Sequence, residues 1–322
     1  MKSYFIINPA AGDGSKVNEL KERIMRESDG FDVEIYITKS KEDTARFVKN
    51  ICDTVSGDLR FYACGGDGTL NDVLNGLVGC ERASLGVVPI GTGNDFCRNF
   101  TDCGDFKSVK DQLNGTTTRC DIIKYSGIAD GKYTERYAVN MFNIGFDCNV
   151  VDKTQAIKKY AKGSAAYLLS VMIILIKKKG ANLKIEADGK IVHNGPLLLT
   201  TVANGSFCGG GIMSNPKAVI SDGLLDVNIV KNVSRAKFIK LFPKYKKGTH
   251  YNIKNAEKII RRLTCKKLTL TPNGENMRIC ADGEIFCAKA ISFESQKNAV
   301  SFIVPQKILN AGLTKSAEYA TI

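Results

Sequence analysis

The stretch Gly65-Gly66-Asp67-Gly68-Thr69-Leu70-Asn71 combines the residue types that phosphate chemistry needs. Its three glycines let the backbone take positive φ and approach a ligand closely. It follows Phe61-Tyr62-Ala63-Cys64, which reads as a strand. It leads into Leu70, Val73, Leu74 and Leu77, which have the spacing of a helix's apolar stripe. A turn from a strand into a helix N-terminus presents free N–H groups and the positive end of the helix dipole, and both suit a phosphate. The carboxylate of Asp67 would repel a phosphate unless a cation lay between them. The turn therefore points to a metal–nucleotide complex, with Mg2+ as the usual hard cation. Thr69 and Asp72 have capping-box spacing, with Asp in place of the usual Glu. Taken alone, Gly-Gly-Asp-Gly is also compatible with a plain turn closing a strand–helix joint.

Two other acidic stretches stand out. One is Ser221-Asp222-Gly223-Leu224-Leu225-Asp226, downstream of Gly209-Gly210-Gly211; the other is Ala281-Asp282-Gly283-Glu284. Each by itself reads most simply as a surface turn, because Asp and Gly are default turn residues. Beside a phosphate cradle they gain a chemical reason. Phosphoryl transfer needs a cradle, a neutralising cation and a base near the accepting hydroxyl. Glu284 or Asp282 would be that base, and Asp222 would anchor a cation. Other chemistries lack their motifs. There is no G-x-x-x-x-G-K-[ST] loop, and Gly91-x-Gly93 is followed by Phe96 where a dinucleotide fingerprint needs a third glycine. Zinc is disfavoured without paired Cys or His, and His193 and His250 are the only histidines. A serine hydrolase is weakly supported, since no G-x-S-x-G elbow surrounds Ser206.

The elements that must position these groups come in two textures. Tyr4–Ile7, Val33–Ile37, Arg60–Cys64 and Leu85–Val88 read as strands. They alternate with helices over Val17–Ile24, capped by Ser15, near Glu42–Thr54, and after Gly68. That alternation predicts an α/β domain with a doubly wound parallel sheet. Ligands of such sheets bind beyond the carboxyl ends of the strands. The loops at Asn8–Ser15, Gly65–Asn71 and Ile90–Asp95 all fall there. From about Thr118 short alternating runs dominate: Cys120–Tyr125, Tyr137–Asn143, Leu183–Ala187, Leu197–Ala203, Leu225–Val230, Lys267–Thr271, Met277–Ala281, Ala290–Phe293 and Ala299–Val304. Asp188-Gly189, Asn194-Gly195 and Asn273-Gly274 punctuate them as turns. This predicts a mainly antiparallel β-sandwich. The expected domains are 1–117 for nucleotide and 118–305 for substrate and metal, with the boundary near Asn114-Gly115-Thr116. Ser164–Ile176 reads as an apolar helix too short to span a bilayer. It is read either as a core helix or as the lining of an acyl-chain entry. Lys177-Lys178-Lys179 and the basic run Arg235–Lys247 would then face a membrane.

The chain of 322 residues carries 46 Lys and Arg against 33 Asp and Glu, a net charge of +13. That balance implies an acidic partner such as a nucleotide or an anionic membrane surface. Nucleic acid is disfavoured, since no aromatic-rich basic motif accompanies the charge. Eleven scattered cysteines without a C-x-x-C pair, and an N-terminus unlike a signal peptide, read as reduced cytoplasmic thiols.

The four motifs Gly65–Asn71, Pro89-Ile90-Gly91-Thr92-Gly93-Asn94-Asp95-Phe96, Ser221–Asp226 and Asp282-Gly283-Glu284, with the opening Asn8-Pro9-Ala10-Ala11-Gly12, resemble the bacterial soluble diacylglycerol kinase and lipid kinase family. That family is related to sphingosine kinases and NAD kinases. The resemblance runs in order through nearly the whole chain. It implies that ATP contacts Asn8, Pro9, Ala10, Ala11, Gly12, Thr38, Gly65, Gly66, Asp67, Gly68, Thr69, Leu70, Asn71 and Thr92, with Asn94 and Asp95 on the nucleotide side. It implies that Glu284 takes the proton of the lipid hydroxyl, with Asp282 beside it. It implies a Mg2+ site at Asp222 and the carbonyls of Val219 and Leu224, and a C-terminal segment after Pro305 that rejoins the first domain. The expected activity is an ATP-dependent lipid kinase acting on diacylglycerol, peripheral to an anionic membrane. Another acceptor on the same fold and a silent nucleotide-binding regulator are the alternatives. The resemblance leaves a homodimer open.

Overall fold

The computed structural model describes residues 1–11, 17–91, 93–146, 180–282 and 284–310. The expected helix at Ser164–Ile176 lies outside the described residues, as do Gly12, Ser15, Thr92 and Gly283. The N-terminal unit alternates β1 (Lys2–Ile7), α1 (Val17–Glu27), β2 (Val33–Ile37), α2 (Lys41–Thr54), β3 (Leu59–Gly65), α3 (Asp67–Leu77) and β4 (Ala83–Pro89). The four strands are parallel, in the order β2-β1-β3-β4. Both faces of the sheet are covered, so its strands read as continuous apolar runs. Tyr4, Ile6, Phe61 and Ala63 share a core with Val48 of α2 and with Leu70, Val73 and Leu74 of α3. Phe5, Ile7, Tyr62 and Cys64 pack on the other face with Leu20 and Ile24 of α1.

The helix starts differ in their chemistry. Ser40 caps α2 by accepting the Asp43 N–H, an ordinary side-chain cap. The expected capping box on α3 does not form. The helix begins at Asp67, so Gly66 is the cap residue and Thr69 stands two residues inside the helix. The Thr69 hydroxyl instead accepts a hydrogen bond from Asn8, and Asp72 pairs with Arg136.

The C-terminal unit is antiparallel. Its strands are β5 (Thr116–Ala129), β6 (Lys132–Ala138), β7 (Met141–Gly145), β8 (Ala181–Ala187), β9 (Lys190–Leu197), β10 (Leu199–Ala203), β11 (Leu225–Val230), β12 (Ile260–Cys265), β13 (Lys267–Pro272), β14 (Met277–Ala281) and β15 (Glu284–Val304). One layer runs β12-β11-β10-β7-β14-β15 and the other runs β9-β8-β13-β15-β5-β6, so β15 belongs to both. Ile123, Phe142, Ile185, Val227, Ile279 and Phe293 form the core between them.

Several expected strands are differently divided. Tyr137–Asn143 is two strands, because the chain changes layers at Val139-Asn140 and the Val139 N–H goes to the side chain of Asn71. Leu197–Ala203 is split at Leu198 between β9 and β10. Ala290–Phe293 and Ala299–Val304 are parts of one 21-residue strand, β15, with register shifts between Ala288 and Ile291 and between Gln296 and Val300. Asn194-Gly195 lies within β9 rather than in a turn. Asp188-Gly189, at φ 46° and 79°, does turn β8 into β9.

The end of β15 leaves the sandwich. Ser301 and Phe302 pair in parallel with Ser84 and Leu85 of β4, while β5 runs antiparallel along the other edge. The N-terminal sheet is thereby mixed, though mostly parallel. A short helix, Gln306–Asn310, follows, and Ile308 joins the core that holds Phe302. On the sandwich, the basic helix Arg235–Lys246 seats Phe238, Leu241 and Phe242 and exposes Arg235, Lys237, Lys240, Lys244 and Lys246. Among the described residues no helix is long and apolar enough to cross a membrane.

Candidate active site

The loops at the carboxyl ends of the parallel strands are sewn together. Gly65 closes β3, and its carbonyl accepts the N–H groups of both Ile90 and Gly91 at 3.1 Å. A Cβ on Gly91 would lie 2.6 Å from the Cα of Gly66, so only glycine allows the two turns to touch. Asp67 locks the same joint. Its Oδ2 accepts the Asp95 N–H at 3.0 Å and its Oδ1 the Phe96 N–H at 3.2 Å. The Asn94 backbone also hydrogen-bonds this carboxylate. The third loop arrives through Asn8, whose Nδ2 donates to Thr69 Oγ1 at 3.0 Å and whose Oδ1 accepts the Ala10 N–H. Pro9 and Ala10 are exposed, and Ala11 is half-buried beside them. Thr38 is buried at the end of β2, where its N–H bonds the Ile7 carbonyl. The Leu70 side chain belongs to the core, so only its backbone is at the rim. Asn94 sits at φ 53° and donates to the Gly91 carbonyl. Its Oδ1 is buried with no hydrogen-bond partner among the described residues.

The C-terminal unit closes over this cradle with specific contacts. Gly210 and Gly211, at φ 80° and 107°, donate their N–H groups to the two carboxylate oxygens of Asp95 at 2.9 and 2.8 Å. Asn99 accepts the Ser206 N–H at 2.7 Å. Asp282 accepts the Met141 N–H on Oδ1 and the Asn71 side-chain amide on Oδ2, the latter at 2.9 Å. Glu284 lies over the first turn of α3, where its Oε1 would be 3.2 Å from a Cβ placed on Gly68. The same oxygen pairs with Lys41 Nζ at 2.5 Å. One turn further along α3, Asp72 meets Arg136 at 3.1 Å. Asn75 exchanges two hydrogen bonds with the backbone of Tyr137.

This seam concentrates negative charge. Burial, and then the charge of Asp67, pushes the Asp282 carboxyl up to about 8. Burial and the charge of Asp95 push Asp67 up to about 6. Burial also raises Asp95, against the pull of the Gly210 and Gly211 amides. Asp72 is pushed up to about 6 by burial and by Glu284. A divalent cation would relieve this repulsion. No three His, Cys, Asp or Glu side chains among the described residues are grouped to hold a metal. The donor set fits Mg2+ in its usual habit, held by one or two carboxylates, phosphates and water.

Asp222, where a cation site was expected, lies elsewhere, on the loop before β11. Asp222 Oδ1 accepts the Leu224 N–H at 2.9 Å. Beside it, Asp121 of β5 accepts the Gly223 and Asn298 N–H groups at 2.5 and 2.6 Å.

The structure therefore gathers Asn8, Gly65–Asn71, Gly91, Asn94, Asp95, Asp282 and Glu284 at one seam and places Asp222 and Asp121 apart from it. Sequence reasoning missed Lys41, Asn99, Asp121 and Arg136, which carry no motif. It saw the Gly209–Gly211 run without its partner, Asp95.

A glycine cradle at the strand ends, closed by a sandwich that carries an Asp-Gly-Glu turn, is a two-domain architecture suited to phosphoryl transfer. Comparison with known proteins gives the family. Residues 2–125 match the diacylglycerol kinase catalytic domain, and residues 140–304 match the YegS C-terminal NAD kinase beta sandwich-like domain. The chain belongs to this diacylglycerol kinase and YegS-like lipid kinase family. It is 28% identical over 303 residues to a "Probable lipid kinase YegS-like" of Pectobacterium atrosepticum, covering 91% of this chain and 94% of that one. It is 28% identical over 287 residues to a "Diacylglycerol kinase" of Bacillus subtilis, covering 88% and 89%. A solved Bacillus anthracis structure titled as a diacylglycerol kinase superposes with a TM-score of 0.64 at 21% identity, over 95% of this chain and 98% of that one. That likeness speaks to the fold.

Proposed function

We propose that the protein transfers the γ-phosphate of Mg-ATP to a lipid hydroxyl, with diacylglycerol as acceptor and phosphatidic acid as product. The observation that carries this reading is the meeting, at the first turn of α3, of the Gly65–Gly68 and Gly91 backbone with Asp67, Asp282 and Glu284. The free N–H groups of that turn and the loop at Asn8–Ala11 would receive the phosphates. Asp67 and Asp95 would hold the cation, which supplies charge neutralisation on the phosphates when bound. Glu284, half-exposed at the seam, would accept the proton of the acceptor hydroxyl. Asp282, its carboxyl raised by burial and tied to Asn71 and Met141, would fix the turn that carries Glu284. The exposed lysines of Arg235–Lys246 would bring the protein to an anionic membrane. The names of the relatives support a lipid acceptor.

The test is transfer of labelled γ-phosphate from Mg-ATP to a lipid panel in mixed micelles, with NAD and a no-acceptor control. Labelled phosphatidic acid is the expected product. Label on NAD alone, or ATP binding without transfer to any acceptor, would overturn the reading.

A further inference from the structure

The cradle lacks the lysine of a Walker loop, so a basic side chain beside the Mg2+ at the terminal phosphate would come from elsewhere in the seam. Arg98, Arg136 and Lys41 are basic side chains at this seam. Arg98 is held by Asp95 at 3.5 Å and by the Gly93 carbonyl at 3.4 Å. Arg136 is taken by Asp72. Lys41 is the third, and it pairs with Glu284, the residue whose Oε1 overhangs Gly68. Helix stability does not account for Lys41. It is the first residue of α2, where the positive end of the helix dipole disfavours a cation, whereas Glu42 and Asp43 beside it suit that position. The pair is also exposed, at 51% for Lys41 and 39% for Glu284, so it is weakly held and readily exchanged.

We propose that Lys41 is the cation that receives the terminal phosphate of the nucleotide, and that Glu284 parks it at the cradle while the site is empty. The inference rests on the kinase reading and deepens it. Phosphate competes with Glu284 for one ammonium group. Entry of the nucleotide thus strips the lysine from the carboxylate that the reaction needs as a base. The nucleotide and the free base become available together, and an empty site keeps its base neutralised.

The experiment is calorimetric binding of Mg-ATP and Mg-ADP to wild type and to Lys41→Met, Lys41→Arg and Glu284→Gln, with the melting temperature of each recorded. Lys41→Met is expected to weaken ATP about tenfold, the size of one lost charge-assisted contact, and to leave ADP within about twofold. Lys41→Arg should keep the preference for ATP. Glu284→Gln, which removes the competitor, should tighten ATP relative to ADP. An unchanged ATP-to-ADP ratio in Lys41→Met, in a protein that melts normally, would overturn the role of Lys41 and leave the kinase reading intact. Wild-type protein that binds neither nucleotide would overturn both.

Discussion

Along its length, α3 meets the C-terminal unit through Asn71, Asp72 and Asn75, and each finds its complement. Asn71 accepts from Val139 and donates to Asp282, Asn75 exchanges two bonds with Tyr137, and Asp72 meets Arg136. At the first turn of the same helix the chemistry reverses. Asp67, Asp95 and Asp282 face one another, and their carboxyls are raised. Reciprocal hydrogen bonds and one ion pair secure the seam along the helix flank, while three mutually repelling carboxyls collect at its tip. Buried charge of one sign is costly for folding, and such clusters mark places where a ligand completes the balance. The flank therefore reads as attachment and the tip as chemistry.

That contrast can be broken experimentally, beginning with the largest effect. Glu284→Gln should lower kcat by about 10²- to 10⁴-fold, the range for losing a general base, with melting unchanged. An equal loss in stability would assign Glu284 to the attachment side. Gly91→Ala comes next. Its Cβ meets the Gly66 backbone, so the two turns must separate, at about 1–3 kcal/mol with loss of nucleotide binding. Isothermal titration and urea unfolding read both effects. Asn71→Ala, on the flank, leaves the Val139 N–H and an Asp282 oxygen unpaired, and should cost about 1–3 kcal/mol in urea unfolding. A larger loss in catalysis than in folding would show that the flank also tunes the tip.

The smallest effect is one of pH. The Asp282 carboxyl is raised in the fold, so between about pH 4 and its value of about 8 the native state holds a proton that the unfolded chain has released. Stability from this group is fully present at low pH and drains away as pH rises through that window. Asparagine cannot ionise, although its NH2 cannot accept one of the two N–H bonds that the Asp282 oxygens accept. Asp282→Asn should therefore gain on wild type by about 1 kcal/mol from about pH 5 to about pH 8, with solvent screening allowed for. A constant difference between the two proteins would mean that Asp282 titrates normally.

The parallel unit was legible in the sequence because each of its strands is a self-contained apolar run and each functional loop is rich in Gly, Asp and Asn. The two Gly-rich turns and the Asp-Gly-Glu turn could be placed from their residues alone. Their pairing across the seam could not. That Asp95 would be clamped by Gly210 and Gly211, or Asn71 by Val139, depends on the docking of two units far apart in the chain. The strand layout failed where the backbone serves two layers. Gln296–Val300 looks like a break in hydrophobic alternation, yet β15 continues through it with a register shift. Thr69 and Asp72 looked like a cap because spacing alone does not reveal that glycine starts the helix.

The long strand β15 also has a mechanical meaning. It begins at Glu284 and ends beside β4, so the carboxylate at the seam and the sheet beneath the cradle share one continuous ribbon. Two bodies joined through a paired strand resist being pulled apart like jaws, since that motion would tear the ladder with β5. Twisting about the ribbon is softer, and the two register shifts along it are where it can give. Admission of a substrate is therefore expected to proceed by torsion between the units, with Glu284 swinging in a small arc while the cradle keeps its shape.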